Sequence, residues 1–133
     1  MPKASLPIDE GARLETLRQL EILDTKPEAT FDQLTILAAQ LCEAPYAALT
    51  LVDRDRQWYK SRVGFEMSES PRDIGICAHA ILQDDPLIVP DTKRDERFAD
   101  NPAVMAHQGI RFYAGVPLRT QQGHALGSFC VFD

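Results

Sequence analysis

The segment YAALTLVD, residues 46–53, is apolar on both of its faces. A strand with one face in water alternates apolar and polar side chains, whereas a run like this suits a central strand covered above and below. The chain therefore needs a sheet with a layer on each side, and the remaining segments supply the material for both.

Residues 9–23 place Leu14, Leu17 and Leu20 at three-residue steps among Arg13, Glu15, Arg18 and Glu21, the pattern of an amphipathic helix. Pro27 in DTKPE ends that run. A second helix follows, started either by a Thr30/Gln33 capping box or by Pro27 in a first-turn position. Phe31, Leu34, Leu37, Ala38 and Leu41 form its apolar stripe, and Pro45 stops it. After the central strand, DRDR reads as a turn and QWYKSRVG (57–64) as a returning strand. Residues 65–73 form a polar loop, GICAHAILQD a short helix and LIVPD (87–91) a brief strand. Residues 92–109 are irregular, with one helical turn after Asn101-Pro102. RFYAGVPLRT and ALGSFCVFD form a hairpin around QQGH. Helices followed by antiparallel strands in one small chain give an α+β fold, a sheet of about five strands with the N-terminal helices on one face. The short helix and long loops cover the other face.

At 133 residues the chain fits one domain. Its net charge of −6 argues against nucleic acid or an anionic membrane as the main partner. No apolar run approaches the roughly 20 residues that span a bilayer, and MPKASLPIDEG has no leader-like apolar core. Cys42, Cys77 and Cys130 are odd in number and widely spaced, which is no disulfide framework and fits a reducing cytoplasm.

The stretches LDTKPEATFDQLTILAAQL, LTLVDRDRQWYKSRVG, SPRDIGICAHAI, VPDTKRDERFADNP and IRFYAGVPLRTQQGHALGSFCVFD, in that order, resemble a GAF domain. The resemblance is to the subgroup found in bacterial sensor histidine kinases and diguanylate cyclases, and runs from about Gly11 to the last residue. It implies a single domain over 1–133, with a helical layer on one side of an antiparallel sheet and a ligand pocket on the other. GAF domains usually continue into a closing helix. This chain stops at Asp133, so it is expected to be a truncated piece or to have its helical face completed by another subunit.

GICAHAIL (75–82) brings Cys77 and His79 together. Two residues apart on a helix they point about 200° away from each other and do not share a metal ion easily. His107 and His124 add no ligand spacing, so no metal is expected. GAF photoreceptors that tether a bilin normally have a histidine directly after the attaching cysteine. Ala78 intervenes here, so bilin is not expected; the C-x-x-C-H pattern of haem attachment is also absent, and no cofactor is expected. Thiol chemistry at Cys77 is open, because a helix start favours thiolate. Ile76, Ala80 and Ile81 favour the plainer reading of a packed helix, with Cys130 an inert buried thiol and His79 in a polar contact.

In the GAF fold a ligand sits between the sheet and the cross-connection, here about 64–110. The residues expected to face that space are Trp58, Arg72, Cys77, His79, Asp91, Phe98, Arg111 and Tyr113. Arg72 and Arg111 suit a carboxylate or phosphate clamp. Competing with this are structural ion pairs, Arg72 with Asp73 and Arg97 with Asp91 or Asp95. The cyclic-nucleotide signature of phosphodiesterase GAF domains is absent. The expectation is a non-catalytic sensory domain that binds a small cytoplasmic molecule. It would relay the signal through its helical face to an effector of histidine kinase or diguanylate cyclase type. The alternatives are a ligand-free dimerisation module packing Leu14, Leu17 and Leu20 across a homodimer, and a thiol redox sensor or reductase using Cys77.

Overall fold

The computed structural model describes residues 3–133; Met1 and Pro2, the start of the stretch read as lacking a leader, lie outside the described residues. Two helices, α1 (Glu10–Gln19) and α2 (Ala29–Leu41), precede the strands β1 (Tyr46–Val52), β2 (Arg56–Val63) and β3 (Glu69–Pro71). A short helix, α3 (Cys77–Ala80), leads to β4 (Leu87–Val89), and one turn, α4 (Pro102–Met105), to β5 (Tyr113–Arg119) and β6 (Ala125–Phe132). The strands form one antiparallel sheet in the order β3-β2-β1-β6-β5-β4. This is the expected α+β architecture. It has six strands rather than about five, because Glu69–Pro71, read as loop, pairs with the start of β2.

The unbroken apolar character of β1 has the expected cause. Ala47, Leu49 and Leu51 face the helices, where they meet Ala39 of α2, Leu17 of α1, Leu126 and Val131. Ala48 and Val52 face the opposite layer, with Ile76, Cys77, Ala80 and Phe98. The N-terminal helices and the Cys77 segment thus cover opposite faces of the sheet.

The helical layer differs from its sequence pattern in two ways. Helix α1 ends at Gln19, the chain turns through Glu21 at a positive φ of 51°, and Leu20 is left 57% exposed. Helix α2 turns Thr35 and Ala39 to the sheet, with Phe31 and Ala38 beside them, while Leu34, Leu37 and Leu41 of the expected stripe are exposed. Thr35 is tolerated in the buried face because its hydroxyl donates to the Phe31 carbonyl, 2.8 Å away.

Strand β2 carries a bulge. Thr50 pairs with Tyr59 and Leu49 with Ser61, so Lys60 has no opposite number. One inserted residue shifts the pleat and changes which side chains face which layer. Trp58 opposes Leu51 and packs with Leu17 and Leu126 on the helical side, whereas Tyr59 joins the opposite layer. Lys60 lies buried under the α1–α2 connection, where its ammonium donates to Thr25 Oγ1 and the Lys26 carbonyl and pairs with Glu28, all at 2.7 Å.

Candidate functional site

On the face away from α1 and α2 the structure encloses a cavity of about 450 Å³. Its size falls in the lower part of the range for small-molecule sites, about 300–1,000 Å³. The sheet supplies an aromatic floor. Tyr46 and Phe132 oppose each other across β1 and β6 and stack at 5.2 Å between ring centres. Phe65, from the loop after β2, meets Phe132 at 5.6 Å and stands edge-on to Tyr59 at 5.0 Å. The loop after β2 and residues 74–77 form one wall, and residues 103–110 form the other.

Two glycines allow polar groups to approach the backbone here. A Cβ on Gly75 would lie 2.0 Å from Gln57 Oε1, and that oxygen accepts from the Ala78 N–H at 3.1 Å. A Cβ on Gly115 would lie 2.3 Å from the Tyr113 hydroxyl. With that space open, the hydroxyl reaches Ser128 Oγ at 2.9 Å and Cys77 Sγ at 3.1 Å. The Cys77 and Cys130 sulfurs are 4.0 Å apart, both buried, and both cysteines line the cavity. The hydrogen bond from Cys130, joined by that from Tyr113, outweighs burial and lowers the Cys77 thiol to about 7. Cys130 and the Tyr113 phenol are pushed well above their ordinary values, Cys130 chiefly through its bond to Cys77 and Tyr113 chiefly by burial.

Of the eight side chains expected around this space, the structure brings Cys77 and Tyr113 to the cavity wall. Trp58 lies across the sheet, for the reason given by the bulge. Arg72 points to the other end of the sheet, where its guanidinium binds Glu10 of α1 in two-point fashion at 2.6 and 3.1 Å and donates to the Asp53 carbonyl at 3.1 Å. Asp73, the expected partner of Arg72, meets Lys3 instead. His79 stands edge-on to the fully buried Phe98, 4.9 Å between ring centres. Asp91 caps the turn after β4 by accepting from the Lys93 N–H and pairs with Arg94, while Arg97 takes Asp95. Arg111 donates to the Val104 and Ile110 carbonyls and braces residues 103–110 from behind. The two arginines of the expected anion clamp are therefore apart and occupied.

Sequence reading missed Gln57, Tyr59, Phe65 and Ser70 at the cavity. Tyr59 and Ser70 share a hydrogen bond of 2.9 Å, and Gln57 donates to Ser70 at 3.3 Å. The signal for Tyr59 was its place in an alternating strand, and only the bulge says which alternate faces in. It also missed Arg13, fully buried in α1, which donates to the Val52 carbonyl at 2.6 Å and to Glu10 at 3.0 Å. Burial pushes the Glu10 carboxyl up, but its hydrogen bonds from Arg72 and Arg13 prevail and hold it below 4.5. Among the described residues no group of three or more His, Cys, Asp or Glu is placed to hold a metal ion. No helix among them is long and apolar enough to cross a membrane.

The GAF domain of a phosphoenolpyruvate-protein phosphotransferase from Coxiella burnetii has a similar structure, with a TM-score of 0.64 at 15% identity, covering 91% of this chain and 77% of that one. A free methionine-R-sulfoxide reductase from Neisseria meningitidis superposes with a TM-score of 0.61 at 17% identity, covering 100% and 80%. At these identities the likeness is one of fold. In sequence, the chain is 38% identical over 127 residues to the Cyclic di-GMP phosphodiesterase PA2567 of Pseudomonas aeruginosa, a match covering 96% of this chain and 22% of that protein. The GAF domain family matches residues 26–133, most of the chain. The chain belongs to the GAF domain family.

Proposed function

We propose that this domain is a non-catalytic sensor in which a small molecule occupies the aromatic-floored cavity and alters the helical layer across the sheet. The observation that carries this reading is the cavity itself, roofed by long connections on the face opposite α1 and α2. Arg72 provides the link. It sits two residues before Ile74 in the cavity wall, and its guanidinium grips Glu10 at the start of α1. A displacement of residues 74–77 would therefore pull on α1. The exposed stripe Leu34, Leu37, Leu41 of α2 offers the output surface, to an effector domain or a second copy of the chain. The likeness to one part of a cyclic di-GMP phosphodiesterase supports an output enzyme of cyclic di-GMP signalling. Ligand binding drives output only as far as it favours one of two states.

The test is a small-molecule screen by amide NMR. Binding should shift the Phe65 and Tyr113 signals and also those of Glu10 and Leu17. Hits that perturb only the cavity, with α1 silent, would refute the relay.

The Cys77–Cys130 pair favours one further reading, a thiol sensor. Cys77 thiolate would attack a peroxide, giving a sulfenic acid and releasing hydroxide or alkoxide. The Cys130 thiol would then displace water to close a disulfide. An intact mass lower by two hydrogens after peroxide treatment, absent in Cys130→Ser, would support it. Unchanged mass would rule it out.

A further inference from the structure

The cavity wall has a charge character that its family membership does not dictate. Among the described residues no Lys, Arg or His lines it. The uncharged polar groups presented are the Gln57 and Gln108 amides, the Ser70 hydroxyl and the Tyr59 and Tyr113 phenols, while the Cys77 thiol, lowered to about 7, can add only negative charge. Burial raises both phenols, so they remain uncharged donors at neutral pH. One carboxylate, Glu69, stands at the mouth, half exposed and bound to Arg56 at 3.1 Å. Arg111, which follows the lining residue Ile110, spends its guanidinium on the Val104 and Ile110 carbonyls.

An anion entering this space would shed its hydration and find no positive partner. Burying an unpaired charge costs several kcal/mol, and Glu69, already paired with Arg56, offers an anion no attraction. The floor favours the opposite kind of molecule. Tyr46 and Phe132 stack, and Phe65 links Phe132 to Tyr59 through tilted and edge-on contacts, so the rings form one contiguous apolar lining that offers faces and edges to an aromatic ring. Gln57 and Ser70, both already oriented by their mutual hydrogen bond, are the groups able to fix a neutral carbonyl or hydroxyl.

We infer that the cavity selects an uncharged, planar, ring-bearing molecule and rejects nucleotides and other anions. Cyclic di-GMP, on which the name of its relative says that protein acts, is excluded as the ligand of this domain. This inference rests on the sensor reading above and narrows it.

Two dyes that differ by a single sulfonate test the charge preference directly: the neutral N-phenyl-1-naphthylamine and the anionic 8-anilino-1-naphthalenesulfonate. Fluorescence titration should show the neutral dye binding about tenfold or more tightly than the anionic one, the penalty of an unpaired buried charge. Cyclic di-GMP should not displace it. Ala103→Phe, which fills the cavity, should abolish binding, and Leu37→Glu on the exposed stripe of α2 should leave it unchanged. Met67→Arg, at an exposed position of the cavity wall, should narrow the preference by strengthening the anionic dye. Equal or tighter binding of the anionic dye in the unmodified protein, or displacement by cyclic di-GMP, overturns the inference while leaving the cavity a ligand site. Failure of both dyes to bind, or loss through Leu37→Glu but not Ala103→Phe, overturns the sensor reading itself.

Discussion

Arg72, beside the cavity wall, and Glu10, the first residue of α1, meet through two hydrogen bonds of 2.6 and 3.1 Å although 62 residues separate them. The same carboxylate receives Arg13, so one anion holds two buried guanidiniums. Removing it strands both cations. Glu10→Ala should cost about 3 kcal/mol of stability, the low end for a broken buried pair, because the arginines keep their carbonyl partners. Urea denaturation of the variant against the parent reads this directly, and a loss below about 0.5 kcal/mol would place the network among inconsequential surface pairs.

The same carboxylate makes stability depend on acid. Its folded pKa lies below 4.5, so its contribution is complete above that value and disappears as pH falls through the lower, folded one. Stability measured from pH 6 down to the acid transition should fall less steeply in Glu10→Gln than in the parent. An identical pH slope for the two would show that other carboxylates govern the acid limb.

Gly115 should tolerate no side chain. Its added Cβ would meet the Tyr113 hydroxyl at 2.3 Å and Ser128 Oγ at 2.5 Å, both inside the core. Gly115→Ala should destabilise by about 1–3 kcal/mol, the usual cost of overpacking. It should also free the Tyr113 hydroxyl from Ser128, visible as a changed Tyr113 ring signal in NMR.

Cys77 should titrate early. In a Cys42→Ser background, which removes the exposed thiol, ultraviolet thiolate absorbance should rise near pH 7. Cys130→Ser should move that midpoint, because it replaces the main hydrogen-bond donor to the Cys77 sulfur. A midpoint at the ordinary value near 8.5 in both proteins would mean that burial dominates.

Helix α2 offers a test of its orientation. Leu37→Glu replaces an exposed residue and should change stability by no more than about 0.5 kcal/mol. Ala39→Glu forces a carboxylate against Ala47 and Val131 and should cost several kcal/mol. Thermal unfolding of the two variants distinguishes them, and equal losses would contradict the observed rotation.

The sequence alone carried the layer order. A strand apolar on both faces demands two covering layers, and β1 has them. Local chemistry was equally legible: Asn101 caps the turn that Pro102 begins, and Gly123 takes the positive φ of the β5–β6 turn. These outcomes depend on neighbours in the chain. What the tertiary structure decided depends on packing between distant segments. One unopposed residue, Lys60, turned Trp58 to the helices and Tyr59 to the cavity. The sheet accepted the small Ala39 and Thr35 of α2 rather than its leucines, with Ala39 packed against Ala47 and Val131. Arg72 found a carboxylate 62 residues away rather than the adjacent Asp73, since its two bonds to Glu10 and one to the Asp53 carbonyl offset the cost of burying the guanidinium, while Asp73 stays in water.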